Sequence, residues 1–326
     1  MPLADSFGRR INYLRLSVTD RCNLRCQYCM PSDGVPKLCH SDILSYEDLF
    51  RIAKESVALG VEKLRITGGE PLVRKGIVEF VRSLSGLVGL KEIVLTTNGV
   101  LLPETAVALR QAGLRRLNVS LDSLKPQTFA AITRGGDLRR VLNGLAAAEE
   151  AGFPAAKINM VVMRGINDDE VLDFAALTLS KSHTVRFIEY MPTAQNPQWR
   201  SLHVSGDEIL ERVRQRFTVT ELVAGQTSGP ARNYRIEGAA GAIGVITPIS
   251  RHFCQQCNRI RITASGFAKA CLFGRKQVDL KPCLASGDNS ALRELLREIV
   301  VGKPDGHQLL TPNRETAPFS MSQIGG

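Results

Sequence analysis

Tyr13-Leu14-Arg15-Leu16-Ser17-Val18-Thr19-Asp20-Arg21-Cys22-Asn23-Leu24-Arg25-Cys26-Gln27-Tyr28-Cys29 runs from an apolar stretch straight into three closely spaced cysteines. Tyr13–Val18 reads as a short strand, mostly apolar and rich enough in large side chains to be buried on both faces. The cysteines then fall at its C-terminal end, which is where barrel enzymes place their chemistry. Three thiolates on one loop can bind three irons of a four-iron cluster and leave the fourth iron open. Zinc is the alternative, because C-x2-C pairs are common zinc ligands, but a closed zinc site wants a fourth ligand. Cys39 and His40 are the nearby candidates for it.

The same strand pattern recurs downstream at Lys63–Thr67, Glu92–Thr97, Arg116–Ser120, Lys157–Val162 and Val185–Tyr190. Helical segments alternate with these strands: Ser45–Leu59, Ile77–Leu84, Glu104–Gln111, Leu138–Ala151, Asp168–Thr178 and Ser205–Arg216. Ser45 with Asp48, and Ser205 with Glu208, suggest capping boxes, and Asn167 reads as an N-cap. Gly60, Ala112-Gly113 and Ala151-Gly152 supply stops. Strand-then-helix repeats make parallel βαβ units. A full eight-unit barrel needs about 250 residues, and this pattern breaks near Met191-Pro192 after six strands. The expected fold is therefore α/β, a partial (β/α)6 TIM-like barrel over residues 1–215. Residues 216–326 read as a C-terminal β-rich extension, with strands at Thr218–Val223, Arg232–Ile236, Ala242–Ile246 and Arg259–Thr263 and a helix at Ser290–Val300. Lys303 to Gly326 is polar and is expected to hold little regular structure.

Arg15, Arg65 and Lys157 sit inside these otherwise apolar strands, where an unpaired charge is costly. They are expected to point into the barrel towards an anion, with a structural ion pair as the alternative.

The chain has 326 residues, 44% hydrophobic and 23% charged, enough to bury a sizeable core. No apolar run approaches the roughly 20 residues of a membrane helix, and Met1 to Arg10 lacks the apolar centre of a secretory signal. A cytoplasmic setting without membrane contact is expected. The net charge of +10 favours an anionic partner. The absence of a basic block and the scarcity of aromatics (6%) argue against a nucleic-acid module.

Six of the eight cysteines fall into two groups. The second group, Cys254, Cys257 and Cys271, repeats the three-thiolate arrangement. Here zinc is a stronger alternative, with His252 or Cys283 as the fourth ligand. Arg259 and Arg261 follow on a strand and share one face; two guanidiniums beside a metal suit a polyphosphate, whereas an exposed edge pair is the plainer reading. Cys39 and Cys283 fit no motif and read as small hydrophobes.

C-x3-C-x2-C with an aromatic before the last cysteine, followed by Gly68-Gly69-Glu70-Pro71 at the next strand end, resembles the radical S-adenosylmethionine superfamily. Both cysteine patterns, Thr96–Gly99, Asn118–Ser123, Arg186–Met191, the Asn258-Arg259-Ile260-Arg261 stretch and the terminal Gly325-Gly326 resemble the GTP 3′,8-cyclase family of molybdenum cofactor biosynthesis, from Arg10 to Gly326. The resemblance implies two [4Fe–4S] clusters, one on Cys22, Cys26 and Cys29 and one on Cys254, Cys257 and Cys271. It implies that Tyr28, Gly69, Ser120 and Met191 hold S-adenosylmethionine, with Glu70 near the methionine amino group. Arg15, Arg65, Thr96, Lys157, Arg259 and Arg261 would bind GTP, and the Gly325-Gly326 tail would enter the active site. The implied reaction is reductive cleavage of S-adenosylmethionine, hydrogen abstraction from C3′ of GTP and bonding of C3′ to guanine C8. It further implies an external electron donor, a homodimer and a hand-off to the next enzyme of the pathway. Two rivals remain at this point: a peptide-modifying radical enzyme with an auxiliary cluster, and a zinc-containing nucleic-acid-binding protein.

Overall fold

A computed structural model of the chain describes residues 3–35, 39, 42–193, 198–223, 229–307 and 321. Tyr13–Ser17 (β1) is buried at all its positions because it has a parallel neighbour on each side. After it come Tyr46–Ala58 (α1), Lys63–Thr67 (β2), Ile77–Ser85 (α2), Glu92–Thr97 (β3), Leu102–Gln111 (α3) and Arg116–Ser120 (β4). Pro126–Thr133 (α4), Leu138–Glu150 (α5), Lys157–Val162 (β5), Val171–Ser180 (α6) and Thr184–Glu189 (β6) complete six parallel strands. These match the expected strands to within a residue at either end, and the partial barrel is present as expected.

The remaining elements are Trp199–Leu202 (α7), Gly206–Arg214 (α8), Val219–Leu222 (β7), Arg232–Ile236 (β8), Ala242–Ile246 (β9), Arg259–Ile262 (β10), Phe267–Lys269 (β11), Val278–Asp279 (β12), Lys281–Ala285 (α9) and Asn289–Val301 (α10). The C-terminal strands do not form a sheet of their own. They extend both edges of one sheet, in the order β12-β11-β10-β1-β2-β3-β4-β5-β6-β9-β8-β7. β10 pairs parallel with β1, and β9 pairs parallel with β6. The second cysteine group is thereby brought beside β1, although more than 200 residues separate it from the first in sequence.

Period two divides every strand into two faces. The helix-facing set, Leu14, Leu16, Leu64, Ile66, Ile93, Leu95, Leu117, Val119, Ile158, Met160, Val185 and Phe187, is buried in one core. The other set is mixed, with Arg15, Arg65, Thr96, Asn118, Ser120, Asn159 and Arg186 beside Val94, Val161 and Ile188. Barrel interiors are commonly filled by branched apolar layers, so these polar side chains mark a space kept for a ligand.

Most of the expected helix signals operate. Ser45 Oγ accepts from Asp48 N at 3.0 Å and Ser205 Oγ from Glu208 N at 3.2 Å. Gly60, Gly113 and Gly152 take positive φ values of 104°, 98° and 76° as stops. Asn167 differs. It makes no cap; its amide donates to Asp122 O and Val161 O, and its oxygen accepts from Met163 N. A buried amide with three partners in one knot outweighs a cap in solvent.

Candidate active site

Gly68 and Gly69 lie against the cysteine loop. A Cβ on Gly69 would stand 2.3 Å from Arg21 O, and one on Gly68 2.6 Å from Thr19 O. Their lack of a side chain lets Gly69 N donate to Thr19 O and Glu70 N to Arg21 O, each at 2.7 Å. The glycines thus serve close approach of backbone to backbone, holding the segment that leads into Cys22. Glu70 is buried with its carboxylate accepting from Leu72 N, Thr97 Oγ1 and Asn98 N. Burial outweighs those three donors and raises it to about 7. The side chain straps β2 to β3, keeps acceptor capacity on Oε2 and lines the cavity described below.

The cysteine loop folds tightly, with Cys29 N and Met30 N both donating to Cys26 O. Arg25 caps Cys22 O at 2.7 Å. Tyr28 donates its hydroxyl to Asp122 Oδ2 at 2.7 Å, and Val161 N donates to Asp122 Oδ1 at 2.8 Å. Burial raises Asp122 to about 6. Cys26 is pushed well above its usual value, first by burial and then by Asp122 and the other two thiols.

One cavity of about 280 Å³ joins the two cysteine groups. Cys22, Cys26 and Cys29 line one part, and Cys254, Cys257 and Cys271 another. Tyr28, Gly69, Ser120 and Met191 line it, as do Arg15, Arg65, Thr96, Arg259 and Arg261. Lys157 is not among the lining residues; it opens β5, at the strand end away from the cysteine loops. Gly325 and Gly326 lie outside the described residues, but Met321 lines the cavity.

Arg15 faces Arg261 on one side and Arg65 on the other, in direct register across β10, β1 and β2. Buried Nε atoms of Arg15, Arg65 and Arg186 have no hydrogen-bond partner. Burial, followed by Arg261 and Arg65, lowers Arg15 well below its usual value. Burial with neighbouring arginines lowers Arg186 and Arg261 each to about 10. Tyr13 lies against two of these cations and Lys63, with Lys63, Arg65 and Arg15 5.2, 5.4 and 5.8 Å from its ring. Burial alone would raise its phenol, yet Arg65, Arg15, Lys63 and Arg259 bring it down to about 8. So many like charges in one enclosure await an anion of several charges.

Sequence reasoning missed Arg186, Asn159 and Asp122 at this cavity. Arg186 and Asn159 carried the same signal as Arg15, a polar residue at an inward position of an apolar strand. Asp122 carried none beyond its place in the Asn118–Ser123 stretch.

All eight cysteines are free thiols. Among the described residues no three histidine, cysteine or acidic side chains converge tightly enough to share one metal ion. A zinc site needs sulfurs at about 2.3 Å from one centre, whereas a cluster takes one thiolate per iron from more widely spread ligands. Both groups fit a cluster. Cys283 packs against the apolar core, and Cys39 is exposed. His40 lies outside the described residues.

Residues 16–178 match the Radical SAM superfamily, and residues 183–309 match Molybdenum Cofactor Synthesis C. A solved structure, Streptococcus suis SuiB bound to precursor peptide SuiA, is similar in fold, with TM-score 0.63 and 15% identity over 96% of this chain and 76% of that one. Streptococcus suis SuiB bound to S-adenosylmethionine gives TM-score 0.58 and 13% identity over 88% of this chain and 67% of that one. Fold, strand-end cysteines and sequence match together define a radical S-adenosylmethionine protein. A GTP 3′,8-cyclase of Geobacter sulfurreducens is 60% identical over the whole of both chains. One from Alkaliphilus oremlandii is 46% identical over 99% of this chain and 100% of that one. The chain belongs to the GTP 3′,8-cyclase family.

Proposed function

We infer that the chain is a radical S-adenosylmethionine enzyme converting GTP to 3′,8-cyclo-7,8-dihydroguanosine 5′-triphosphate, the first step of molybdenum cofactor biosynthesis. The observation that carries this reading is the single cavity shared by two cysteine groups and a row of arginines, among which Arg15, Arg65 and Arg186 each bury an Nε without a hydrogen-bond partner. The enzyme uses two [4Fe–4S] clusters and S-adenosylmethionine. When bound, a cluster on Cys22, Cys26 and Cys29 supplies the electron for reductive cleavage of S-adenosylmethionine, the source of the radical that takes the C3′ hydrogen of GTP.

The chain's own residues bind, orient and shield. Tyr28, Gly69, Ser120 and Met191 flank the S-adenosylmethionine end, with Tyr28 fixed by Asp122. Cys254, Cys257 and Cys271 hold the second cluster at the base-binding end. Arg15, Arg65, Arg259 and Arg261, joined by Arg186, fix the triphosphate through charge-assisted hydrogen bonds. Thr96 lines the nucleotide path, and Lys157 adds charge from the far end of β5. Enclosure keeps water and oxygen from the reacting carbon. A peptide substrate would not call for the arginine row, and fold likeness at 13–15% identity does not argue for one.

Functionally, residues 1–215 would carry S-adenosylmethionine chemistry, and residues 216–326 the second cluster and most of the substrate contacts. Gly325 and Gly326, which lie outside the described residues, would act in the reaction; Met321, four residues before them, lines the cavity. Removing those two residues should leave both clusters in place and abolish turnover; normal turnover would refute the tail's role. An external one-electron donor, a homodimer, a cytoplasmic setting and hand-off to the next enzyme complete the proposal. Among the described residues no helix is long and apolar enough to cross a membrane.

The test is oxygen-free purification with iron and sulfide per chain, then GTP, S-adenosylmethionine and dithionite. About eight irons and GTP-dependent 5′-deoxyadenosine are expected. Iron for one cluster with zinc alongside would overturn the second site, and 5′-deoxyadenosine indifferent to GTP would overturn the substrate.

A further inference from the structure

Two buried cations from opposite ends of the chain meet behind the second cysteine group. Lys303 is 3% exposed and Arg9 8%. The Lys303 ammonium donates to Arg259 O at 2.9 Å and to Ala270 O. Arg259 is two residues past Cys257, and Ala270 directly precedes Cys271. Arg9 donates to Cys254 O at 2.7 Å, to Pro304 O at 2.6 Å and to Asp305 O at 2.7 Å, and its Nε pairs with Asp5. Backbone beside each of the three cysteines is therefore tied by a buried cation, and residues 303–305 are tied with it.

The two cations differ in how they are balanced. Arg9 has the Asp5 carboxylate. Among the described residues Lys303 has an ion pair with no carboxylate. It touches carbonyls and hydrogen-bonds the Cys257 thiol. An ammonium removed from water without an anion is unstable. The negative charge it lacks is the one that thiolates of a bound cluster bring.

We propose that Lys303 is a positioning residue for the second cluster: it fixes the strand ends bearing Cys257 and Cys271 and supplies the counter-charge that raises the cluster's reduction potential. Hydrogen bonds and charge at ligand sulfurs are established means of tuning such potentials. This rests on the two-cluster reading above. Wild-type protein with only one cluster would defeat that reading, whereas the following comparison bears on Lys303 alone.

The experiment compares wild type with Lys303→Met and Lys303→Arg, each reconstituted without oxygen. Iron and sulfide per chain, electron paramagnetic resonance of each cluster and a redox titration are read for all three. Lys303→Met should lose the second cluster's iron or hold it at a lower potential, while the first cluster keeps its spectrum. Lys303→Arg should restore cluster and potential. Both clusters at wild-type potential in Lys303→Met would overturn the proposal, as would an arginine variant no better than methionine. If Lys303→Met does not fold, Lys303→Gln takes its place under the same criteria. Loss of both clusters in each neutral variant also counts against the proposal, since the effect must be confined to one site.

Discussion

The two cysteine groups offer the same ligands to opposite fields. Around Cys22, Cys26 and Cys29 stand the buried carboxyl groups of Glu70 and Asp122, and burial together with Asp122 drives the Cys26 thiol well up. Around Cys257 stand Arg259 and Lys303, which outweigh burial and bring its thiol down to about 7. An acidic, buried setting would disfavour adding an electron to a cluster held by these cysteines and so favour its giving that electron up. Cationic surroundings suit holding an anionic nucleotide. Equal ligand count thus hides unequal tasks, and the difference lies in residues that touch the cysteines rather than in the cysteines.

The sharpest break of this comparison is to remove one ligand at a time. Cys26→Ser should bring 5′-deoxyadenosine formation to background and leave the second cluster's iron. Cys257→Ser should keep the first cluster's iron and its reduction by dithionite but end cyclisation, because the first site does not depend on the second for reducing power. Both products are measured by chromatography with iron analysis on the same samples. If Cys257→Ser also left the first cluster unformed or irreducible by dithionite, the division of tasks would be wrong.

A smaller effect separates binding from stability. Arg65→Met removes a guanidinium whose Nε is buried without a partner. Losing a charge-assisted contact of about 1.5–3 kcal/mol should weaken GTP binding roughly 10- to 150-fold, read by calorimetry. The same change relieves repulsion on Arg15 and Arg186, so the melting temperature without GTP should rise. Weaker binding with a lower melting temperature would mean that Arg65 is structural.

The sequence was legible where one strand's own pattern carried the message. Arg15 and Arg65 interrupt apolar strands, and the cost of an unpaired buried charge is what points them inward. Arg186 interrupts Val185–Tyr190 just as plainly and carries the same message, a charge at an inward position of an apolar strand. The attachment of β10 to β1 was not legible: a parallel register between Tyr13 and Arg259 leaves no mark in either segment. The clamps that Arg9 and Lys303 place on the second cysteine group are invisible for the same reason, since there they reach mainly backbone carbonyls, which every residue has. Asn167 misled because a side chain suited to capping is equally suited to a buried knot.

Lys157 gives the smallest effect and tests how far the cationic field reaches. Burial, then Arg186, Arg116 and Lys63, lowers its ammonium to about 7. The unfolded chain keeps this lysine charged up to about pH 10.4. Between those values the unfolded state binds more protons, so this group's contribution makes stability rise with pH from about 7 towards 10; below 7 both states are charged and its penalty is complete. Lys157→Met should therefore raise the melting temperature at pH 7 and flatten the climb towards pH 9.5. GTP should flatten it in wild type as well, because a triphosphate within reach restores the charged form. Thermal unfolding at the two pH values, with and without GTP, decides the point. A climb that survives GTP but vanishes in Lys157→Met would leave the lysine in the cationic enclosure and outside the nucleotide site, in keeping with its absence from the cavity wall.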